Sequence, residues 1–191
     1  MHFFAYLSRM KFIQRWGLMR NIRPENIQEH SLEVAMIAHA LALIRNKFFQ
    51  GNINPERVMA LAVFHEAGEV ITGDLATPIK YFNPEIEKAY HHIEEIAKKK
   101  LLNMLPEDLK GEYDKLFFIE ESDRINWRLV KAADKISAYL KCVEELKGGN
   151  QEFSKAEKAI KAEIEKIDLP EVAYFMDNFA PSFFLTLDEL D

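Results

Sequence analysis

The sequence holds one cysteine, Cys142, in the run LVKAADKISAYLKCVEEL. That count excludes an intrachain disulfide framework and a cysteine-based zinc site, and a small buried side chain is its plain reading. No stretch approaches the roughly 20 apolar residues that span a bilayer, so no membrane partner is expected. The apolar start, MHFFAYLSRMKFIQRW, is interrupted by Arg9, Lys11 and Arg15 and lacks the uninterrupted core and cleavage site of a signal peptide. The expected compartment is a reducing cytoplasm. Net charge is −6 and no face-long basic run appears, so a nucleic-acid polymer is not an expected partner. A small phosphorylated ligand needs only a local cluster of positive charge and stays allowed. Alternating Val, Ile and Thr are missing, as are internal repeats and linkers rich in Gly, Ser and Pro. A sheet and a multidomain array are thereby disfavoured.

What remains is helical. The chain has 191 residues, 48% of them apolar, enough for one domain over 1–191 with a full core. Apolar spacing predicts an all-α helical bundle. A first helix is expected over 2–14, then a loop holding Arg15, Trp16, Asn21, Arg23 and Pro24. A second helix follows over 28–47. Asn54-Pro55 and Asn83-Pro84 pair a capping side chain with a first-turn proline, and each opens a helix. The first of these carries His65 and Glu66; the second runs to about 104. Gly73, Asp74 and Pro78 mark a loop between them. Pro106 opens a helix to about 120, Ser122 or Asp123 caps a long one ended by Gly148-Gly149, and 151–166 is charged and peripheral. Pro170 opens a last helix, which Pro181 ends.

Four groups could carry chemistry. His65, Glu66 and Glu69 stand at i, i+1 and i+4, so on an unbroken helix His65 and Glu69 share a face. Glu66 then reaches that face only from its edge, unless the helix ends nearby. The zincin pattern H-E-x-x-H is ruled out because Glu69 stands where its second His belongs. An ordinary surface or helix-end role also fits these three. His30 opens an apolar helix, and His39, about 2.5 turns later, points to the opposite side. His39 reads as a packing histidine, and His91 and His92 as part of a solvated face. Asp134 sits in a core-like run and needs a partner, either a metal or one of Lys131, Lys135 and Arg128. Arg15, Trp16, Arg20 and Arg23 form a basic and aromatic loop. Arg grips phosphate bidentately and Trp stacks on a base, although a core Trp and a solvated Arg cluster are the ordinary alternatives.

The ordered set His30, then His65 with an acid, then Asp134 resembles the H…HD…D pattern of the HD-domain metal-dependent phosphohydrolases. RWGLMRN, ENIQEHSLEVAMIAHAL, the segment from His65 to Lys80, and YLKCVEEL are similar to the bacterial 5′-deoxynucleotidases, nearly to the end of the chain at FAPSFFLTLDEL. The resemblance implies an all-helical, cytoplasmic homodimer that removes the 5′-phosphate from deoxyribonucleoside monophosphates with one divalent metal. It places His30, His65, Glu66 and Asp134 as metal ligands. Arg15 and Trp16 fall at substrate positions with His30, Arg15 orienting the phosphate with possible help from Lys80. Glu69 takes the acid/base position. Asp74, Leu75, Ala76 and Thr77 fall in the loop that contacts the sugar, where Asp74 would accept a hydrogen bond from a 3′-hydroxyl. Co, Mn, Zn, Ni and Fe all suit His with carboxylates.

Two residues depart from the family pattern. Glu66 stands where the family has Asp and adds about 1.5 Å of reach, against a metal-site tolerance of about 0.2 Å. Ala76 stands where Pro is expected. The resemblance leaves two other readings open: an HD hydrolase of another phosphorylated nucleotide such as an alarmone, and a nucleotide-binding module whose metal centre Glu66 impairs.

Overall fold

The computed structural model describes residues 1–190, so the last residue of the domain expected over 1–191 lies outside the described residues. Among the described residues there are ten α-helices and no strand. They are α1 (Phe3–Leu7), α2 (Ile27–Phe48), α3 (Pro55–Phe64), α4 (Glu69–Thr72), α5 (Thr77–Lys80), α6 (Pro84–Leu102), α7 (Glu107–Phe117), α8 (Arg124–Lys147), α9 (Ser154–Ile164) and α10 (Pro170–Asn178). The all-α expectation holds.

Side-chain caps start α3 and α6 where expected, and Asn26 caps α2 as well. The Asn26 side chain accepts from the Gln28 and Glu29 N–H groups, Asn54 from Arg57, and Asn83 from Ile86. Asp123 occupies the N-cap of α8 but makes no capping bond, because its carboxylate is taken by Arg57 and Asn126. The main core joins α2, α3, α8 and α10 around Leu41, Leu61, Leu129 and Ile136, all fully buried. A second cluster, with Phe3, Met10, Ile27, Ala67, Leu101 and Phe117, lies under the N-terminal segment.

Three expectations change. The helix expected over 2–14 is α1 followed by a 3₁₀ turn at Ser8–Phe12. It stops there because Ile13 turns extended and its carbonyl accepts the Ile27 N–H at 3.0 Å, part of an isolated antiparallel bridge between Gln14 and Asn26. Residues 77–80, expected as loop, form the short helix α5. The last helix ends at Asn178, and Pro181 lies inside a following 3₁₀ turn, Ala180–Phe184.

The loop between the 3₁₀ turn and α2 is clamped from α8. Glu145, 1% exposed, accepts the Ile22 N–H at 2.9 Å and the Arg23 N–H at 3.1 Å. It also accepts from the buried Lys141 ammonium and the Asn150 amide. Burial opposes ionisation here, but the bonds from Lys141, Ile22, Asn150 and Arg23 hold the Glu145 carboxyl down at about 2. Its folded pKa is thus depressed from 4.5, so its stabilisation is complete above that value and is lost as pH falls toward 2. Glu145→Ala strands the Lys141 charge and should cost about 3–5 kcal/mol in urea unfolding at neutral pH, with much of that difference gone near pH 2.

Candidate metal centre and substrate pocket

Helix α3 ends at Phe64. Beyond it the His65 and Ala67 N–H groups bond three residues back, to Ala62 and Phe64. This tighter winding breaks the face relations of a regular helix and brings Glu66, rather than Glu69, beside His65. The Glu66 Oε1 atom lies 3.8 Å from His65 Nε2 and 3.6 Å from His30 Nε2. His30, fully buried in the first turn of α2, has Nε2 3.0 Å from Asp134 Oδ1 on α8. One ligand atom from each of His30, His65, Glu66 and Asp134 lies within 4.8 Å of all the others. Donors about 2.1 Å from a shared ion sit about 3–4 Å apart, so these separations suit one divalent cation.

The donor chemistry fits as well. The His65 Nδ1 proton points at the Ala62 carbonyl, 2.6 Å away, which leaves Nε2 carrying the lone pair. That Nε2 is buried with no hydrogen-bond partner, and so is Glu66 Oε2. Burial lowers the His65 pKa and favours the neutral, ligating form. Desolvation alone would raise the Asp134 carboxyl, but its bond with His30 and the charge of Arg15 hold it well below its ordinary value. The salt bridges proposed for Asp134 with Lys131, Lys135 and Arg128 do not form: Lys135 pairs with Glu163 and Arg128 donates to the Asp168 carbonyl. The Glu66 carboxylate reaches the cluster despite its extra methylene.

Arg15 stands over this cluster. It donates to Glu25 at 2.7 Å and lies 3.9 Å from both Glu66 and Asp134. Burial would lower its pKa, but Glu66, Glu25, Asp134 and Asp74 raise it, so its charge is permanent. Trp16 takes a left-handed backbone (φ 59°), a strain of about 1–2 kcal/mol. Its indole N–H donates to Glu25 at 3.1 Å, and its ring packs 5.3 Å from Phe153. Arg20 and Arg23 do not join them. Both are exposed and pair with Glu152 and Glu144.

A cavity of about 630 Å³ opens beside the cluster, lined by Arg15, Trp16, Asp74, Ala76, Thr77 and Asp134 among others. Ala156, Ala159 and Ile160 of α9 form one wall, so the helix expected at the periphery also shapes the pocket. Leu75 is half-buried and outside the lining. Glu69 is buried, its Oε2 without a partner. Burial first, then Glu66 and Asp74, push its carboxyl up to about 9. Lys80 turns away from the cavity to Glu94, 3.2 Å distant, over the Tyr90 ring. His39 is half-buried, His91 pairs with Glu87 and Glu94 on the surface, His92 is exposed and Cys142 is buried, all as expected. A second cavity of similar size, between α8, α9 and α10, contains none of the cluster residues.

A family model described as "5'-deoxynucleotidase YfbR-like" matches residues 2–183. The chain belongs to that family. It is 53% identical over 189 residues to a 5′-deoxynucleotidase of Vibrio parahaemolyticus, covering 99% of this chain and 97% of that one. A crystal structure of an HD-domain phosphohydrolase from Listeria innocua superposes with TM-score 0.84 at 22% identity, covering 97% of this chain and 90% of the other. A cyanophage S-2L HD phosphohydrolase, solved with dA and one catalytic Zn²⁺, superposes at 0.60 with 19% identity, covering 94% and 95%. These structures share the HD fold. Membership of this family makes the chain a hydrolase.

Sequence reasoning missed Glu25, which fixes Arg15 and Trp16 together, and Glu33 and Ser137, which lie behind His30. The available signal was spacing: Glu33 follows His30 by three residues and Ser137 follows Asp134 by three, so each shares a helix face with a ligand candidate. Glu25→Ala removes the shared acceptor of Arg15 and Trp16. It should red-shift Trp16 emission, read in a Trp127→Phe background, and weaken nucleotide binding about tenfold.

Proposed function

We propose that this chain is a metal-dependent phosphomonoesterase that hydrolyses deoxyribonucleoside 5′-monophosphates to deoxyribonucleoside and phosphate. The observation that carries this reading is a four-donor cluster whose Asp134 lines a cavity together with Arg15, Trp16, Asp74 and Thr77. We assign His30, His65, Glu66 and Asp134 as ligands of one divalent ion: Mn, Co, Fe, Ni or Zn. When bound, that ion supplies Lewis acidity, offsetting phosphoryl charge and lowering the pKa of water. The dA and Zn²⁺ of the cyanophage relative accord with this assignment.

The chain's own groups do the rest. Arg15, permanently charged and braced by Glu25, directs its guanidinium at the phosphoryl oxygens. Trp16 offers a stacking face to any base. Asp74 and Thr77 line the sugar end, and an Asp74 bond to the 3′-hydroxyl in a space too tight for a 2′-hydroxyl gives deoxyribose preference. Glu69 keeps its proton near neutral pH and is suited to hand it to the leaving 5′-oxygen. We further assign a cytoplasmic homodimer, as the family resemblance implies. Exposed apolar pairs one turn apart, Leu32 with Met36 on α2 and Met59 with Val63 on α3, give a second copy a surface to cover. Among the described residues no helix is long and apolar enough to cross a membrane.

Phosphate release from matched deoxy- and ribonucleoside 5′-monophosphates, run across divalent metals, tests the reading. The expected result is deoxy-selective, metal-dependent turnover by this chain, matched by a Glu66→Asp version. Turnover by the Asp version alone would assign this chain to a binding role, and release only from alarmones would move it to another substrate. Glu69→Gln preserves the shape of the protonated acid. It should lower kcat about 10²–10⁴-fold with nucleotide binding retained, and equal loss of binding would remove Glu69 from proton transfer.

A further inference from the structure

Behind His30 runs a short hydrogen-bonded chain. The Ser137 hydroxyl donates to Glu33 Oε2 at 2.6 Å, and Ser137 Oγ lies 3.0 Å from His30 Nδ1. Ser137 and His30 are fully buried. A hydroxyl has one proton, and here it is committed to a carboxylate that only accepts when ionised. Ser137 Oγ therefore meets His30 as an acceptor, which requires the proton on Nδ1. With a cation in the cluster the lone pair then falls on Nε2, the nitrogen facing Asp134 and Glu66; without one, Asp134 Oδ1, 3.0 Å away, only accepts and draws the proton to that nitrogen.

Arg15 makes the opposite demand. Its Nη1 lies 2.8 Å from the same Nδ1, and a guanidinium can only donate. Accepting from Arg15 would move the imidazole proton to Nε2 and close that nitrogen to a cation. The two neighbours thus ask for different tautomers. Arg15 Nη1 carries two protons and Glu25 takes one at 2.7 Å, so the other is free to meet His30 until a cation claims the Nε2 lone pair; the imidazole proton then goes to Nδ1, where the Ser137 oxygen accepts it.

We propose that Glu33 and Ser137 are positioning residues for the metal centre: they fix the His30 proton on Nδ1, aim Nε2 into the cluster, and leave Arg15 to the phosphate. This inference rests on the metal-centre reading above. It also pairs the two histidines by design: His65 has its Nδ1 proton held by the Ala62 carbonyl, and His30 has its own held by a serine backed by a glutamate. Outer groups of this kind typically govern metal affinity by about 10–100-fold.

The test is metal affinity, measured on chelator-stripped protein by competition with a chromophoric chelator, using Mn²⁺ and Co²⁺. Ser137→Ala removes the hydroxyl from a buried helical position without adding bulk. Glu33→Ala removes the carboxylate at a half-buried position and serves if Ser137→Ala fails to fold, as judged by circular dichroism. The expected result is about 10–100-fold weaker binding in both, with an altered visible spectrum for bound Co²⁺. The KM for nucleotide at saturating metal should stay at the wild-type value. Affinity within about twofold of wild type in both variants overturns the inference, because Ser137 would then not be setting the tautomer. An unaltered chain that binds neither ion overturns the metal centre itself, and this inference with it.

Discussion

One buried cation governs the arrangement. Arg15 is 13% exposed in its side chain and faces Glu25, Glu66 and Asp134 within 4 Å, with Asp74 also in its field. Carboxylates gathered out of water repel one another and lose hydration, a cost of several kcal/mol per ion unless an opposite charge is fixed among them. Arg15 supplies that charge. Its position depends in turn on the loop before α2, and the loop depends on Glu145. The chain of support therefore runs from a lysine–glutamate pair inside α8, through two backbone N–H groups, to the guanidinium over the four-donor cluster.

The donor set is assembled from elements that meet for packing reasons. Helices α2, α3 and α8 share the main core, and each contributes to the cluster near an end or a close approach: His30 at the start of α2, His65 just past α3, Asp134 among the alanines of α8. Ala132 and Ala133 are buried and small, which lets α8 come close enough for its acid to reach a histidine 104 positions earlier. The same helix then supplies Ser137 one turn on. A single rigid element thus carries both one donor of the cluster and a hydroxyl 3.0 Å from another.

Much of this was legible in the sequence. The Asn-Pro pairs marked two helix starts, the apolar period marked the long helices, and the His30, His65 and Asp134 order marked the centre. The position of the stop after Phe64 was not legible, although an end nearby was allowed for. The run VMALAVFHEAGEV keeps a helical apolar pattern across the break, and Gly68, the last residue of that break, marks a place where the helix can loosen without fixing where it stops. Regular geometry therefore put Glu66 at the edge unless the helix ended nearby, and the helix does end there, which brings Glu66 into the donor cluster. The short helix α5 and the early end of α1 were lost for the same reason: tertiary bonds, not local preference, decide them. Arg20 and Arg23 looked equivalent to Arg15, and only the fold separates a buried guanidinium from two solvated ones.

Helix α9 has little commitment to the core. Among its residues only Ile164 is fully enclosed, and a lysine–glutamate pair ties it to α8 at the surface. Yet Ala156, Ala159 and Ile160 make one side of the cavity. The protein thereby keeps the part that performs chemistry and the part that admits the ligand on different footings. The first is locked into the bundle; the second is a panel that can change its side chains at small cost to folding. A change at Ala156 or Ala159 can thus reshape the cavity wall without touching the donor cluster.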